Sequence, residues 1–156
     1  MMDQAFIEAR IPHRPPFLWL DRVLELSDTA IRAEKHVPGD LPLFQGHYPG
    51  YPLVPGVLLC EAVFQAGALL LAERLRQAGA AAGGHKGGVP VLTRIFGAKF
   101  KREVHPGDTL AISAELTERL AQAWLMKGAV RVNGKLAAQV EFACAGKEII
   151  RQIPAQ

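Results

Sequence analysis

The chain has 156 residues, 49% of them apolar and 21% charged. That balance suits one globular domain with a sizeable core and excludes a mainly disordered chain. A net charge of +3 is compatible with an acidic partner or substrate but is too small to argue for nucleic acid.

The segment MMDQAFIEARIP holds no apolar run of signal-peptide length, so a cytoplasmic location is expected. Residues 1–10 suit a short amphipathic turn of helix. Pro12, Pro15 and Pro16 then forbid regular structure around His13-Arg14. Residues 17–26, FLWLDRVLEL, suit a strand or a short helix. Ser27-Asp28-Thr29 reads as a turn. Ala30–Val37 reads as a strand with Ile31, Ala33, Lys35 and Val37 on one face.

Phe44–Gln65, FQGHYPGYPLVPGVLLCEAVFQ, changes character half-way. Its first half is turn chemistry, with Gly46, Pro49, Gly50, Pro52, Pro55 and Gly56 around a single histidine, His47. Its second half opens an apolar helix at Val57. The pattern predicts that this helix runs to about Gln77 and stops in Ala78-Gly79, with Arg74 and Arg76 in its last turn favouring the helix dipole. Val54–Ala72 is nearly long enough to cross a bilayer, but Glu61 and Gln65 near its middle favour a helix buried in protein over a membrane span. Residues 79–88 form a Gly/Ala loop in which His85 reads as solvated.

The remaining third reads as antiparallel sheet. Strands are expected over 89–102, 109–116 and 122–132, followed by a returning strand through Leu136, Ala138, Val140, Phe142 and Cys144. In the first of these, Phe96, Ala98 and Phe100 should oppose Gly97, Lys99 and Lys101. Asn133-Gly134 is a type I′ hairpin signal. Residues 146–156 read as a polar tail. The whole is one domain over 1–156, of the α+β class, with one long buried helix against five or six antiparallel strands. Cys60 and Cys144 read as buried thiols in a reducing compartment, and no spacing of Cys and His suits a metal.

The chemistry concentrates in the central stretch. At about 100° per residue, Glu61, Gln65, Ala68 and Ala72 share one helix face. A buried carboxylate needs a partner or a cavity. Structural ion pairs are the common solution, but no Arg or Lys stands at helical spacing before Gln65, which favours the cavity. Pro55 suits the first helical position. The N–H groups of Gly56 and Val57 at the helix start suit an oxyanion. A lone histidine is more often structural than catalytic; His47 gains its weight from this company.

Four stretches carry a resemblance across nearly the whole chain: PHRPPFLWLDRV (Pro12–Val23), FQGHYPGYPLVPGVLLCEAVFQ (Phe44–Gln65), AKFKREVHPGD (Ala98–Asp108) and AWLMKGAVRVNGKLAAQVEFACA (Ala123–Ala145). Together they resemble the (3R)-hydroxyacyl-[acyl carrier protein] dehydratase family of type II fatty acid synthesis, which has the hot-dog fold. The fourteen-residue step from His47 to Glu61 is its most specific feature. The resemblance implies a helix wrapped by a bent antiparallel sheet. It also implies homodimers, in many members assembled further into hexamers, whose sites combine the histidine of one chain with the acid of the other. The implied reaction is loss of water from a 3-hydroxyacyl thioester to give the trans-2-enoyl thioester, with no cofactor or metal. His47 would take the C2 proton. Glu61, kept protonated by its apolar helix, would protonate the leaving hydroxyl, and Gln65 would orient Glu61 or a water. Gly56 and Val57 would hold the thioester oxygen, with Gln65, Phe44 and Phe96 among the substrate-binding residues. The acyl carrier protein of this family is acidic, and Arg94, Lys99, Lys101 and Arg102 are candidates for docking it. A solvated strand edge guarded by lysines accounts for those four cations equally well. His13-Arg14 matches a family stretch and reads as structural, while His36 and His105 have no expected role. The chain departs from the family before AKFKR, where Phe96 is the one evident aromatic. A thioesterase on the same fold, or a non-catalytic module that binds acyl carriers, are the alternative readings.

Overall fold

An apolar helix needs covering on nearly every side, and here one sheet does most of the covering. The structure is a computed structural model that describes residues 2–81 and 89–147. Most of the expected Gly/Ala loop, with His85, and most of the polar tail lie outside the described residues. The elements run α1 (Gln4–Glu8), β1 (Arg22–Leu26), β2 (Ala30–His36), α2 (Gly56–Ala81), β3 (Val89–Phe100), β4 (Thr109–Leu120), β5 (Ala123–Val132) and β6 (Lys135–Lys147). A 3-10 turn at Pro42–Gln45 precedes the central loop. The strands form one antiparallel sheet in the order β1-β2-β4-β5-β6-β3.

α2 has 26 residues, about 39 Å at 1.5 Å per residue. Leu59, Cys60, Ala62, Val63, Ala66, Ala68, Leu69, Leu70 and Leu71 are all buried, as expected of a helix apolar around most of its circumference. It packs against β2, β3, β4, β5 and β6. The facing side chains are the alternate residues of each strand: Ile31 and Ala33 of β2; Leu110, Ile112 and Ala114 of β4; Met126 and Val130 of β5; Ala138, Val140 and Phe142 of β6. Helix and sheet approach closely at two glycines. A Cβ at Gly128 would lie 2.3 Å from Val63 Cγ1 and 2.4 Å from the Ser113 carbonyl oxygen. A Cβ at Gly67 would meet the Phe142 ring at 3.0 Å. The Asn133-Gly134 turn has positive φ at both central residues, 50° and 76°, as the type I′ reading requires.

The structure corrects three boundaries. Residues 17–21 are irregular, and only Arg22–Leu26 pairs as a strand. α2 does not stop at Ala78-Gly79; it continues to Ala81, because the flanking alanines are the best helix formers and one interior glycine costs only about 1 kcal/mol. Arg74 and Arg76 therefore sit before the last turn, where Arg74 bonds the Asp28 carbonyl and Arg76 pairs with Glu73. The expected alternation in β3 does not sort its residues by burial: everything from Leu92 to Phe100 is exposed. β3 is the edge strand. It carries register shifts at Leu92/Arg94 and Ile95/Gly97, and Phe96 is the extra residue at the second.

The N-terminal segment is folded onto the body. Ile7, Ile11, Leu18, Trp19 and Leu20 are buried, and Arg14 bonds the carbonyls of Glu8, Ile11 and His13. Arg10 Nε donates to the buried Glu73 carboxylate at 2.7 Å, and Arg76 and Gln77 donate to it as well. The bonds from Arg76 above all, with those from Arg10 and Gln77, outweigh burial and hold the Glu73 pKa at about 2 instead of 4.5.

Two stability predictions follow from these contacts. Gly128→Ala should lower unfolding stability by about 2 kcal/mol, since the sheet backbone cannot yield to the new methyl; an unchanged urea midpoint would contradict this packing. The folded-state pKa of Glu73 is depressed, so its contribution is fully present above about 4.5 and is lost as pH falls through about 2. Glu73→Gln should therefore cost about 2 kcal/mol at neutral pH. The gap between variant and parent should narrow as unfolding is measured at successively lower pH. A gap that stayed constant would show that the carboxylate is not its source.

Candidate functional site

The loop that holds His47 is built by short-range backbone bonds. The His47 N–H donates to the Leu43 carbonyl at 3.0 Å, closing the 3-10 turn, and the Leu53 N–H returns to the His47 carbonyl at 3.1 Å. Tyr48 and Tyr51 exchange backbone bonds across Pro49-Gly50, where Gly50 has a φ of 78° that favours glycine. The His47 ring stacks on Tyr48 with centroids 4.1 Å apart. Its Nδ1 lies 2.8 Å from the Leu53 carbonyl oxygen. A carbonyl only accepts, so Nδ1 carries the proton and Nε2 is left with its lone pair. Among the described residues, Nε2 has no hydrogen-bond partner.

A second set of contacts clasps this loop to the segment after β3. The Val54 N–H donates to the Val104 carbonyl at 2.8 Å. Tyr51 Oη donates to Glu103 at 2.6 Å, and the His105 ring lies between Glu103, at 3.2 Å, and the Pro52 carbonyl, at 3.0 Å. His105 was expected to have no role. One partner, Glu103, is two residues away, but the other, Pro52, is 53 residues away in sequence, and no local pattern could have announced that contact.

The loop delivers the chain to Pro55 and the start of α2. Among the described residues, the N–H groups of Gly56 and Val57 have no acceptor in the chain. Val57 is 72% exposed. Gly56 is pressed by the Phe100 ring, and a Cβ there would fall 2.8 Å from Phe100 Cε1. The helix start is thus a small donor-bearing surface beside an aromatic ring from the end of β3.

One turn further on, Glu61 meets the N-terminal segment. Gln65 is 1% exposed and its amide is saturated. Nε2 donates to the Phe17 carbonyl at 2.8 Å and to Glu61 Oε1 at 2.9 Å, while Oε1 accepts from the Trp19 N–H at 2.8 Å. Gln65 thus holds Glu61 Oε1 with one N–H, and both N–H groups and the carbonyl oxygen of its amide have partners within the chain. Sequence spacing found no cation near Glu61, yet His13 lies beside it, with Nε2 3.6 Å from Glu61 Oε1. Burial, more than the Glu61 charge opposes it, lowers the His13 pKa below 6.5, and the neighbouring Arg14 lowers it further. His13, expected to be structural from its match to the family stretch, is thus the residue of that segment that reaches Glu61.

Among the described residues, neither His47 nor Glu61 has the other as a hydrogen-bond or ion-pair partner. The other expected residues are dispersed. Phe44 is buried in the core. Phe96 is exposed on the β3 edge, with the Arg94 guanidinium 5.8 Å from its ring centroid. Arg94, Lys99, Lys101 and Arg102 are exposed, and none is in an ion pair among the described residues.

The chain that carries this arrangement has known relatives. The family model described as a FabA-like domain matches residues 11–141. The chain belongs to the FabA-like family. A 3-hydroxyacyl-[acyl-carrier-protein] dehydratase FabZ from Anaeromyxobacter dehalogenans is 40% identical to this FabA-like chain over 143 residues, 91% of the chain and 88% of the relative. A protein of the same name from Rickettsia felis is 40% identical over 149 residues, 95% of the chain and 98% of the relative. Among solved structures, the dehydratase heterocomplex ApeI:P from Xenorhabdus doucetiae matches with a TM-score of 0.73 over 90% of both chains, at 15% identity. That likeness shows the fold, and the FabA-like chain has the hot-dog architecture expected of it.

The tautomer is directly testable. Nitrogen-detected NMR of selectively labelled protein should find His47 in the Nδ1–H form while the ring is neutral. A neutral Nε2–H form would remove its lone pair from the open side and contradict the bond to Leu53.

Proposed function

We propose that this protein removes water from (3R)-3-hydroxyacyl thioesters carried on an acyl carrier protein, giving the trans-2-enoyl thioester for fatty acid or related acyl-chain synthesis in the cytoplasm. The observation that carries this reading is the His47 ring, locked by Leu53 with its basic nitrogen unpartnered, in a chain whose 40% identical relatives bear the dehydratase name. His47 Nε2 takes the C2 proton. As that proton leaves, negative charge develops on the thioester oxygen, and the Gly56 and Val57 N–H groups stabilise it. Glu61 gives a proton to the C3 hydroxyl, which departs as water while the C2–C3 double bond forms. His47 then holds the proton that returns the site to its starting state through solvent.

The same reading makes the active unit a homodimer. Among the described residues His47 and Glu61 share no hydrogen bond or ion pair, and the edge of β3 that β6 leaves free exposes Leu92, Ile95, Phe96 and Phe100. An apolar free edge of this kind is suited to pairing with a second copy. Such pairing would bring the His47 loop of one chain toward the Glu61 of the other. The exposed cations Arg94, Lys99, Lys101 and Arg102 supply a face for an acidic carrier protein.

The test is a 3-hydroxybutyryl thioester assay followed at the enoyl absorbance, with free thiol measured in parallel. His47→Ala and Glu61→Ala should each lower turnover by about 10² or more while thermal unfolding stays cooperative. Near-normal elimination in either variant, or thiol release in place of enoyl product from the parent, would overturn the assignment.

A further inference from the structure

His13 enters the site without a place in the scheme above. Its ring stands beside Glu61, with Nε2 3.6 Å from Oε1. Its Nδ1 is buried and has no hydrogen-bond partner among the described residues. A buried N–H left unpaired is more costly than a buried lone pair of low demand. The ring therefore satisfies its surroundings best with the proton on Nε2 and a bare Nδ1. That tautomer points an N–H at the Glu61 carboxyl group. The doubly protonated ring would strand an N–H at Nδ1, and burial opposes its charge as well.

Glu61 Oε1 is thus addressed from two sides. Gln65 Nε2 donates to it at 2.9 Å, and His13 Nε2 faces it from a distance slightly longer than a hydrogen bond. With one N–H bonded to it and a second group facing it just beyond bonding distance, Oε1 is the accepting oxygen of the carboxyl group, and the proton falls to the other. We propose that His13 is a positioning residue for Glu61: with Gln65 it holds Oε1 as the acceptor and reserves Oε2 for the proton given to the leaving hydroxyl. A cation in this place would bind the carboxylate and hold its proton off. A neutral ring favours the ionised carboxylate less than a cation in its place would. The segment 11–20 serves the same end, since it presents His13 beside the acid and supplies the Phe17 carbonyl and Trp19 N–H that lock Gln65. The proposal rests on Glu61 being the acid of the dehydration.

A double-mutant cycle on the full-length protein tests it, using the same thioester assay. His13→Leu should lower kcat about 10-fold with little change in KM, because the loss is in presentation of the acid and not in binding. His13→Gln should recover to within about threefold of the parent, since its amide N–H reaches the place of Nε2–H, whereas His13→Asn, too short to reach, should not. In a Glu61→Gln background, His13→Leu should change kcat by less than about twofold, the mark of two residues acting as one unit. Equal losses in the two backgrounds, or His13→Gln as impaired as His13→Leu, would overturn the role of His13 and leave the dehydratase reading standing. A Glu61→Gln variant with near-normal kcat would overturn both.

Discussion

α2 is apolar on almost every side but carries a polar pair, Glu61 and Gln65, on one face. Enclosing that helix while satisfying that pair is the constraint from which the rest of the molecule follows. The sheet meets the first demand with alternate side chains from β2, β4, β5 and β6, and with Gly128 where Val63 comes closest. It has no polar group to offer the second. The N-terminal segment does, through the Phe17 carbonyl and the Trp19 N–H that clasp the Gln65 amide. An unsatisfied buried amide is costly, so these bonds tie the irregular segment 11–20 to the helix as firmly as its apolar side chains do. Function then uses what stability required: the same amide that closes the core holds the acid.

The site has two halves of different construction. The base half is local: a 3-10 turn, a two-residue bend and a histidine bonded to a carbonyl six residues away. The acid half is non-local, with partners more than forty residues from Glu61 in sequence. The helix start with its open N–H groups joins them, because Pro55 ends the loop and Gly56 opens the helix. Such a division accounts for His47 and Glu61 being near neighbours in sequence without sharing a hydrogen bond or ion pair among the described residues.

What could be read in advance followed from local rules. Alternation placed β2, β4, β5 and β6 with their buried faces, since one face of each meets the helix. The same rule failed on β3, whose residues from Leu92 onward lie exposed at the sheet edge. The helix end was misplaced for a related reason: Gly79 is a stop signal only where nothing outweighs it, and the alanines beside it did. The site residues His47, Glu61, Gly56 and Gln65 were legible because they lie within one stretch of nineteen residues with unusual turn chemistry. The place of His13 beside Glu61 was not, since that partner is on another element and the match of His13-Arg14 to a family stretch suggests only a structural role.

By itself, the sequence determined the long apolar helix, the strands that meet it, the I′ hairpin at Asn133-Gly134 and the candidacy of His47 and Glu61 as base and acid. Those depend on periodicity, turn chemistry and motif spacing, all of which act over a few residues. Only the tertiary structure decided that the Gln65 amide is engaged at both N–H groups and its oxygen, that His47 Nδ1 faces the Leu53 carbonyl and that His13 stands beside Glu61. Hydrogen-bond partners and burial are set by which distant segments meet, and they determine which proton sits on which atom.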